Sequence, residues 1–193
     1  MSDLIILYAH EAAWTWGLTA SGNSGIASSD EEKAALAALS YARLLVVLPG
    51  QNVVTKLHTL ETLNDKQKRA AAGFSIEDEL AASLTECHIA LEPGGTRLAV
   101  VATSVMDDLV ADLRAAGLVA DIICADYDSF RGEDSFTYEG RITRQSAGGL
   151  GFAVETNLAS AVLDAGQNIP ANVDGAEVLQ KIAESLAAGH EPL

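Results

Sequence analysis

Asp126 and Asp128 flank Tyr127 at the end of an apolar run, VADIICA, and paired carboxylates there could hold a metal or serve as acid and base. Ligand sites in α/β proteins gather at the ends of strands, which is why this pair stands out. Turn capping is the preferred reading of the same two residues, because aspartate side chains bind nearby backbone N–H groups. Other chemistry-bearing residues are scattered. His10, His58, His88 and His190 lie far apart, without the i, i+4 spacing of a helical metal pair. Cys87 and His88 are adjacent, which in a strand sends their side chains to opposite faces. The chain has no GxSxG elbow, so a serine nucleophile has no local support, although folding can assemble one from distant positions. Phosphate binding needs glycines that let backbone N–H groups approach an anion, and neither GxxxxGK[ST] nor GxGxxG occurs. Gly148 to Gly151, GGLG, lies between β-prone runs and reads as hairpin glycine. No catalytic residue, metal site or cofactor is expected.

Cys87 and Cys124 are the only cysteines, and each sits in an apolar stretch, TECHIAL and DIICADY. They read as buried small hydrophobes in a reducing cytoplasm, with no disulfide framework. Lys+Arg is 12 against Asp+Glu 27, a formal net charge of -15. Phosphates repel such a surface, which argues against nucleic acid and against docking on anionic lipid. A basic protein partner fits, and so does acidity that only keeps the domain soluble. With 193 residues, 49% hydrophobic and 20% charged, the chain should pack as one large domain or two small lobes. An acidic residue stands in MSDLIILYA where a signal peptide would carry positive charge. No apolar run reaches about 18 residues, so the chain as given is expected to be soluble.

The elements that would position these residues follow from pattern. Leu4 to Ala9 and Ala13 to Leu18 predict a hairpin around His10-Glu11, and TASGNSGIASS a loop. Asp30 opens a helix, DEEKAALAALSYA, with an acidic first turn. RLLVVL reads as a strand buried on both faces, Pro49-Gly50 as a turn, and Val53 to Leu60 as a second strand. Asn64 with Gln67 resembles a capping box; Gly73 interrupts that helix, and Ser75 with Asp78 restarts one through Leu80 and Leu84. CHIAL and RLAVVA are strands around a Pro93-Gly94-Gly95 loop. In SVMDDLVADLRAAG, Val105, Met106, Leu109, Val110 and Leu113 form one stripe, Asp107, Asp108 and Asp112 face away, and Gly117 ends the helix. With VADIICA after it, this predicts a parallel, right-handed βαβ unit. Phe136 to Tyr138, Arg141 to Gln145 and Gly151 to Glu155 predict a meander. Two helices close the chain, the second capped by Asp174 and Glu177 with Val178, Leu179, Ile182 and Leu186 on one face. Mixed sheet, hairpins and crossover helices indicate α/β.

The block from about residue 40 to 155 resembles the cytoplasmic region of type II secretion system protein L. The resemblance rests on Leu48-Pro49-Gly50-Gln51 closing an apolar strand, Lys66-Gln67 in a polar helix, Glu77-Asp78-Glu79-Leu80, a strand containing His88, and GGLGFAVE, Gly148 to Glu155. The first 40 residues and the last helix fit it loosely. It implies an actin-like (ribonuclease H-like) fold of two lobes with mixed sheets and flanking helices, related to that of pilus assembly protein M. Residues 1–193 would be the cytoplasmic region, with lobes of about 1–95 and 96–193, and without the family's transmembrane helix and periplasmic domain.

The implied role is that of a non-catalytic scaffold. It would hold the secretion ATPase, protein E, through that protein's N-terminal domain at the inner membrane, beside protein M and other platform components. A homodimer is left open. Actin-like ATPases place an acidic residue and glycines in two hairpins to hold phosphate and Mg²⁺. Here Tyr8-Ala9-His10-Glu11-Ala12-Ala13 has no glycine, and Phe136-Thr137-Tyr138-Glu139-Gly140 has one, which counts against the alternative of an actin-like nucleotide-binding protein. Two acidic groups are the expected partner-facing residues: Asp107, Asp108 and Asp112, then Glu77, Asp78 and Glu79. For either group taken alone, a merely solvated face is the preferred reading.

Overall fold

The computed structural model describes residues 3–10, 13–58, 64–80, 83–92, 96–130, 135–145, 150–163, 168–190 and 192. Along the chain run β1 (Leu4–Ala9), β2 (Trp14–Leu18), β3 (Ser24–Ala27), helix α1 (Asp30–Ala35), β4 (Arg43–Leu48) and β5 (Val53–Leu57). Helix α2 (Asp65–Ala72), β6 (Cys87–Leu91), β7 (Arg97–Ala102), helix α3 (Thr103–Ala115) and β8 (Ile122–Ala125) come next. The last third holds β9 (Ser135–Tyr138), β10 (Arg141–Gln145), β11 (Gly151–Glu155), a single turn α4 (Ala159–Val162) and helix α5 (Gly175–Ala187).

The strands form three sheets, ordered β3-β2-β1-β4-β8, β5-β7-β6 and β11-β10-β9. In the first, β1, β2 and β3 are antiparallel, while β4 runs parallel to β1 and β8 parallel to β4. The other two are antiparallel throughout. Both faces of the first sheet are covered, which is why β4 is an unbroken apolar run buried from Leu44 to Leu48. One face carries Ile5, Leu7, Trp14 and Val46 against Leu36 and the α3 residues Leu109 and Leu113. The other carries Ile6, Tyr8, Leu45 and Val47 against Val178, Leu179 and Ile182 of α5 and Phe136 of β9. The second sheet has its own small core, Leu98 and Val100 beneath Ala72 and Ile76.

Local signals hold well. Both capping boxes form: Asn64 and Gln67 exchange side-chain and backbone bonds at 3.0 and 3.1 Å, Asp174 and Glu177 at 2.9 and 3.0 Å. Gly117 ends α3 at φ +74°, and the three-strand meander is as expected.

Four expectations need correction. The SGIA part of the expected loop is β3, recruited by pairing with β2. The helix opens at Asp30 as expected, capped by Ser29, but its regular part stops at Ala35 rather than running through DEEKAALAALSYA. Ser75 does not start a helix: its hydroxyl donates back to the Ala72 carbonyl at 2.7 Å, and only the short turns Glu77–Glu79 and Leu84–Glu86 follow. Finally, β7, α3 and β8 are not one βαβ unit. β7 is flanked on both edges by β5 and β6, so β8 has no edge there and pairs with β4 instead. The second strand stops at Leu57, and residues 59–60 of its expected span lie outside the described residues, as does the Pro93–Gly95 loop. A boundary at 95/96 falls between β6 and β7, neighbours in one sheet, and β8 joins a sheet otherwise built from the first 48 residues, so the sheets do not part at that point.

Candidate functional site

After β8 the chain makes one tight turn, Asp126–Asp128, with all three residues buried. Oδ2 of Asp126 accepts from the Tyr8 hydroxyl at 2.6 Å and from Thr143 Oγ1 at 3.1 Å, and Oδ1 accepts from the Tyr127 N–H at 2.7 Å. The Gly50 backbone is a further donor. Burial pushes the Asp126 carboxyl above its usual pKa, and these donors pull it back. Asp128 Oδ1 meets the Arg97 guanidinium at 2.6 Å, and Arg97 also holds Glu92 at 2.8 Å, which keeps Glu92 below the usual carboxylate range.

Tyr127 is the centre of this knot. Its hydroxyl donates to the Val53 carbonyl at 2.7 Å, and burial pushes its pKa well above the ordinary phenol value. Its ring lies between two glycines. A Cβ on Gly50 would stand 2.3 Å from Asp126 Oδ1 and 2.5 Å from the ring, and one on Gly151 2.5 Å from the ring. The glycine of LPGQ, the DYD turn and the last glycine of GGLG therefore meet in one place. The Asp126 carboxylate does bind backbone, as a capping role implies, but mostly the two carboxylates tie β1, β7 and β10 together. Among the described residues, no three His, Cys, Asp or Glu side chains are grouped to hold a metal ion.

A second cluster lies where the β1–β2 and β9–β10 hairpins approach each other. His10 stacks on Tyr8 with ring centroids 5.0 Å apart and meets Tyr138 edge-on at 5.7 Å. Its Nδ1 is 2.9 Å from Arg141 Nη2 and 3.1 Å from Glu139 Oε2; the same guanidinium also contacts His10 Nε2. Glu139 adopts φ +47° beside Gly140 at +74°, which turns the hairpin tightly. Residues 11–12 lie outside the described residues. Here a histidine, an arginine and a glutamate join the two hairpins. Sequence reasoning found both hairpins but missed His10 and Arg141, which no local pattern brings together.

The remaining residues of interest are dispersed. Asp107, Asp108 and Asp112 are exposed on α3, opposite buried Leu109 and Leu113. Glu77 and Asp78 are exposed on the turn that Glu79 completes, and the Glu79 side chain lies outside the described residues. His58 is buried and His88 exposed, while His190 Nε2 lies 2.6 Å from the Asp128 carbonyl. Cys124 is buried, which pushes its thiol pKa up, and Cys87 is half-buried.

No protein-family model matches the chain, and no curated protein matches it. Among solved structures, it matches the cytoplasmic domain of EpsL, an inner membrane component of the type II secretion system of Vibrio cholerae. The TM-score is 0.75 at 13% identity, over 99% of this chain and 97% of that one. The chain has the fold of that domain. The match covers 99% of the chain, so it takes in β1, β2, β3, α1 and α5, which the sequence resemblance covers only loosely. A chain of the PilM-PilN type IV pilus biogenesis complex matches with TM-score 0.53 at 12% identity, over 96% of this chain and 72% of that one. A Bacteroides thetaiotaomicron protein of unknown function with an actin-like ATPase fold matches with TM-score 0.42 at 11% identity, over 80% and 70%. The α/β class expected from the sequence, mixed sheets with flanking helices, is the one observed. Among the described residues, no helix is long and apolar enough to cross a membrane.

Proposed function

We propose that this chain is a non-catalytic scaffold of the type II secretion machinery. It holds the secretion ATPase, protein E, through that protein's N-terminal domain at the cytoplasmic face of the inner membrane, beside protein M and other platform components. The observation that carries this reading is the EpsL-like fold over 99% of the chain. The two clusters support it. The Asp126–Asp128 carboxylates are used in joining sheets, and the hairpin junction is occupied by His10, Glu139 and Arg141. Attachment to the membrane is through a transmembrane helix outside residues 1–193, and self-association into a homodimer is compatible with the role.

The contact is carried by acidic groups, first the exposed Asp107, Asp108 and Asp112, then Glu77, Asp78 and Glu79. With a formal net charge of -15, the chain complements a basic patch on the ATPase, so added salt should chiefly slow association. The test is capture of the cognate ATPase N-terminal domain without nucleotide, at low and moderate salt, by the wild type and by charge reversals of each group. Weaker capture by either reversal supports the electrostatic contact. If neither reversal matters, that contact is wrong; if the wild type captures nothing at low salt, the scaffold reading fails.

A further inference from the structure

Among the described residues, β3 is the end strand of the first sheet, so one of its edges has no neighbour there. The register settles which groups that edge presents. Trp14 pairs with Ala27 and Trp16 with Gly25, and the Leu18 N–H donates to the Asn23 carbonyl at 2.8 Å. Antiparallel pairs alternate between bonded and non-bonded, so Gly25 and Ala27 turn their N–H and C=O towards β2 while Ser24 and Ile26 turn theirs outward. Exposed edges are usually guarded by a charge, a proline or a bulge. β3 reads Ser-Gly-Ile-Ala and has no charge or proline, and Ile26 is 65% exposed.

Ile26 overhangs a groove of ≈ 540 Å³ between β3 and the start of α5, lined also by Thr15, Tyr138, Glu139, Asp174 and Leu179. A second hollow of ≈ 320 Å³ continues from Ser24 and Leu179 along α5 to Ala183. Among the described residues, the only charged ones lining either hollow are acidic, Glu139 and Asp174. Glu139 is half-exposed although it meets His10. We infer that β3 is a docking edge for an extended, basic segment of a partner protein, with alternating apolar residues, which adds to the sheet as a sixth strand. Main-chain bonds to Ser24 and Ile26 supply affinity, and the apolar side chains cover Ile26 and the groove. A second copy of this chain fits less well, because it would bring another net charge of -15 to an acidic rim. The inference does not depend on the ATPase reading.

The probe is a capped nonapeptide of alternating Lys and Val, with a Glu/Val peptide as control, followed by residue-resolved amide exchange on the whole chain. Addition of the Lys/Val peptide should slow exchange at Ser24 and Ile26 by about tenfold or more, with little change at Gly25 and Ala27, which are already bonded. The Glu/Val peptide should do nothing. Ile26→Pro removes an outward N–H without breaking the β2 ladder and should abolish the Ser24 protection. Ile26→Thr, which keeps the strand, should weaken peptide binding about tenfold if the apolar contact matters, and it serves if the proline variant fails to fold. No slowing at saturating Lys/Val peptide, equal slowing by both peptides, or slowing that survives both Ile26 variants overturns the inference. Slowing that depends on protein concentration alone makes a second copy the occupant and overturns it too.

Discussion

A buried carboxylate is costly unless its lone pairs are filled, and Asp126 fills them with donors from β1, β10, the Gly50 turn and its own neighbour. Oδ2 faces two hydroxyls, which can reorient and accept, while Oδ1 faces a backbone N–H. An asparagine can therefore keep its oxygen on the N–H and donate to the hydroxyls. Asp126→Asn should cost about 1 kcal/mol or less, whereas Asp126→Ala, which strands several buried donors, should cost about 3 kcal/mol in urea unfolding at neutral pH. The pH dependence has a definite sign. A carboxyl whose pKa is raised in the fold subtracts stability when ionised, and the subtraction is relieved as pH falls through the raised value towards the ordinary 3.8. The wild type should thus gain stability relative to Asp126→Asn on acidification. Glu92 acts oppositely: its lowered pKa gives stability that is present above 4.5 and lost as pH falls through the folded value, but this is common to both proteins and cancels in their difference. A flat difference across that range would show that Asp126 stays ionised at no cost. The thiols allow a separate check. Cys124 is buried and its thiol is pushed up in pKa, so it should stay unlabelled by a thiol reagent until the protein unfolds, while half-buried Cys87 reacts slowly in the native state. Two fast equivalents per chain would contradict the placement of β8.

Gly50, Tyr127 and Gly151 show what the elements require of one another. Tyr127 fits between two backbones only because neither glycine carries a Cβ. Gly50→Ala or Gly151→Ala should destabilise by about 3 kcal/mol or more, since ring and backbone must both shift. Gly140→Ala meets open space and should cost only about 1 kcal/mol, for its φ of +74°. Equal losses at all three positions, measured by chemical denaturation, would remove Tyr127 from the account. Each of these glycines stands out in the sequence, as a turn or a hairpin residue, but their meeting does not. What pattern reads well is burial: β4 is apolar throughout because both its faces are covered, and α3 buries Leu109 and Leu113 at the helical period. What it reads badly is partnership. SGIA has turn-forming Ser and Gly and becomes a strand only because β2 offers an edge, and β8 follows α3 closely yet pairs with β4. Pairing depends on contacts between residues distant in sequence, where composition carries little signal. The same limit hid the site, because His10 and Arg141 lie on different hairpins.

At the scale of the whole molecule, the question is whether the chain takes a nucleotide. Phosphates need exposed backbone N–H groups and a cation, ideally Mg²⁺. Where the two hairpins meet, the nearest cation, Arg141, is engaged by His10, and the Glu139 carboxylate beside it would repel an anion. A formal net charge of -15 adds to that repulsion at long range. Mg-ATP or Mg-ADP should therefore leave the melting temperature unchanged and show no hydrolysis above background. The measurement is sensitive enough to decide. A ligand at 100 times its Kd adds about 2.7 kcal/mol, which for a domain of this size is a rise of about 5–10 °C. A rise that disappears in Glu139→Gln or His10→Ala would put the nucleotide between the hairpins and revive the nucleotide-binding alternative. A rise that survives both changes would place it in another hollow. Whatever the outcome, His10 at the end of β1 meets Arg141 of β10, which ties the first sheet to the third.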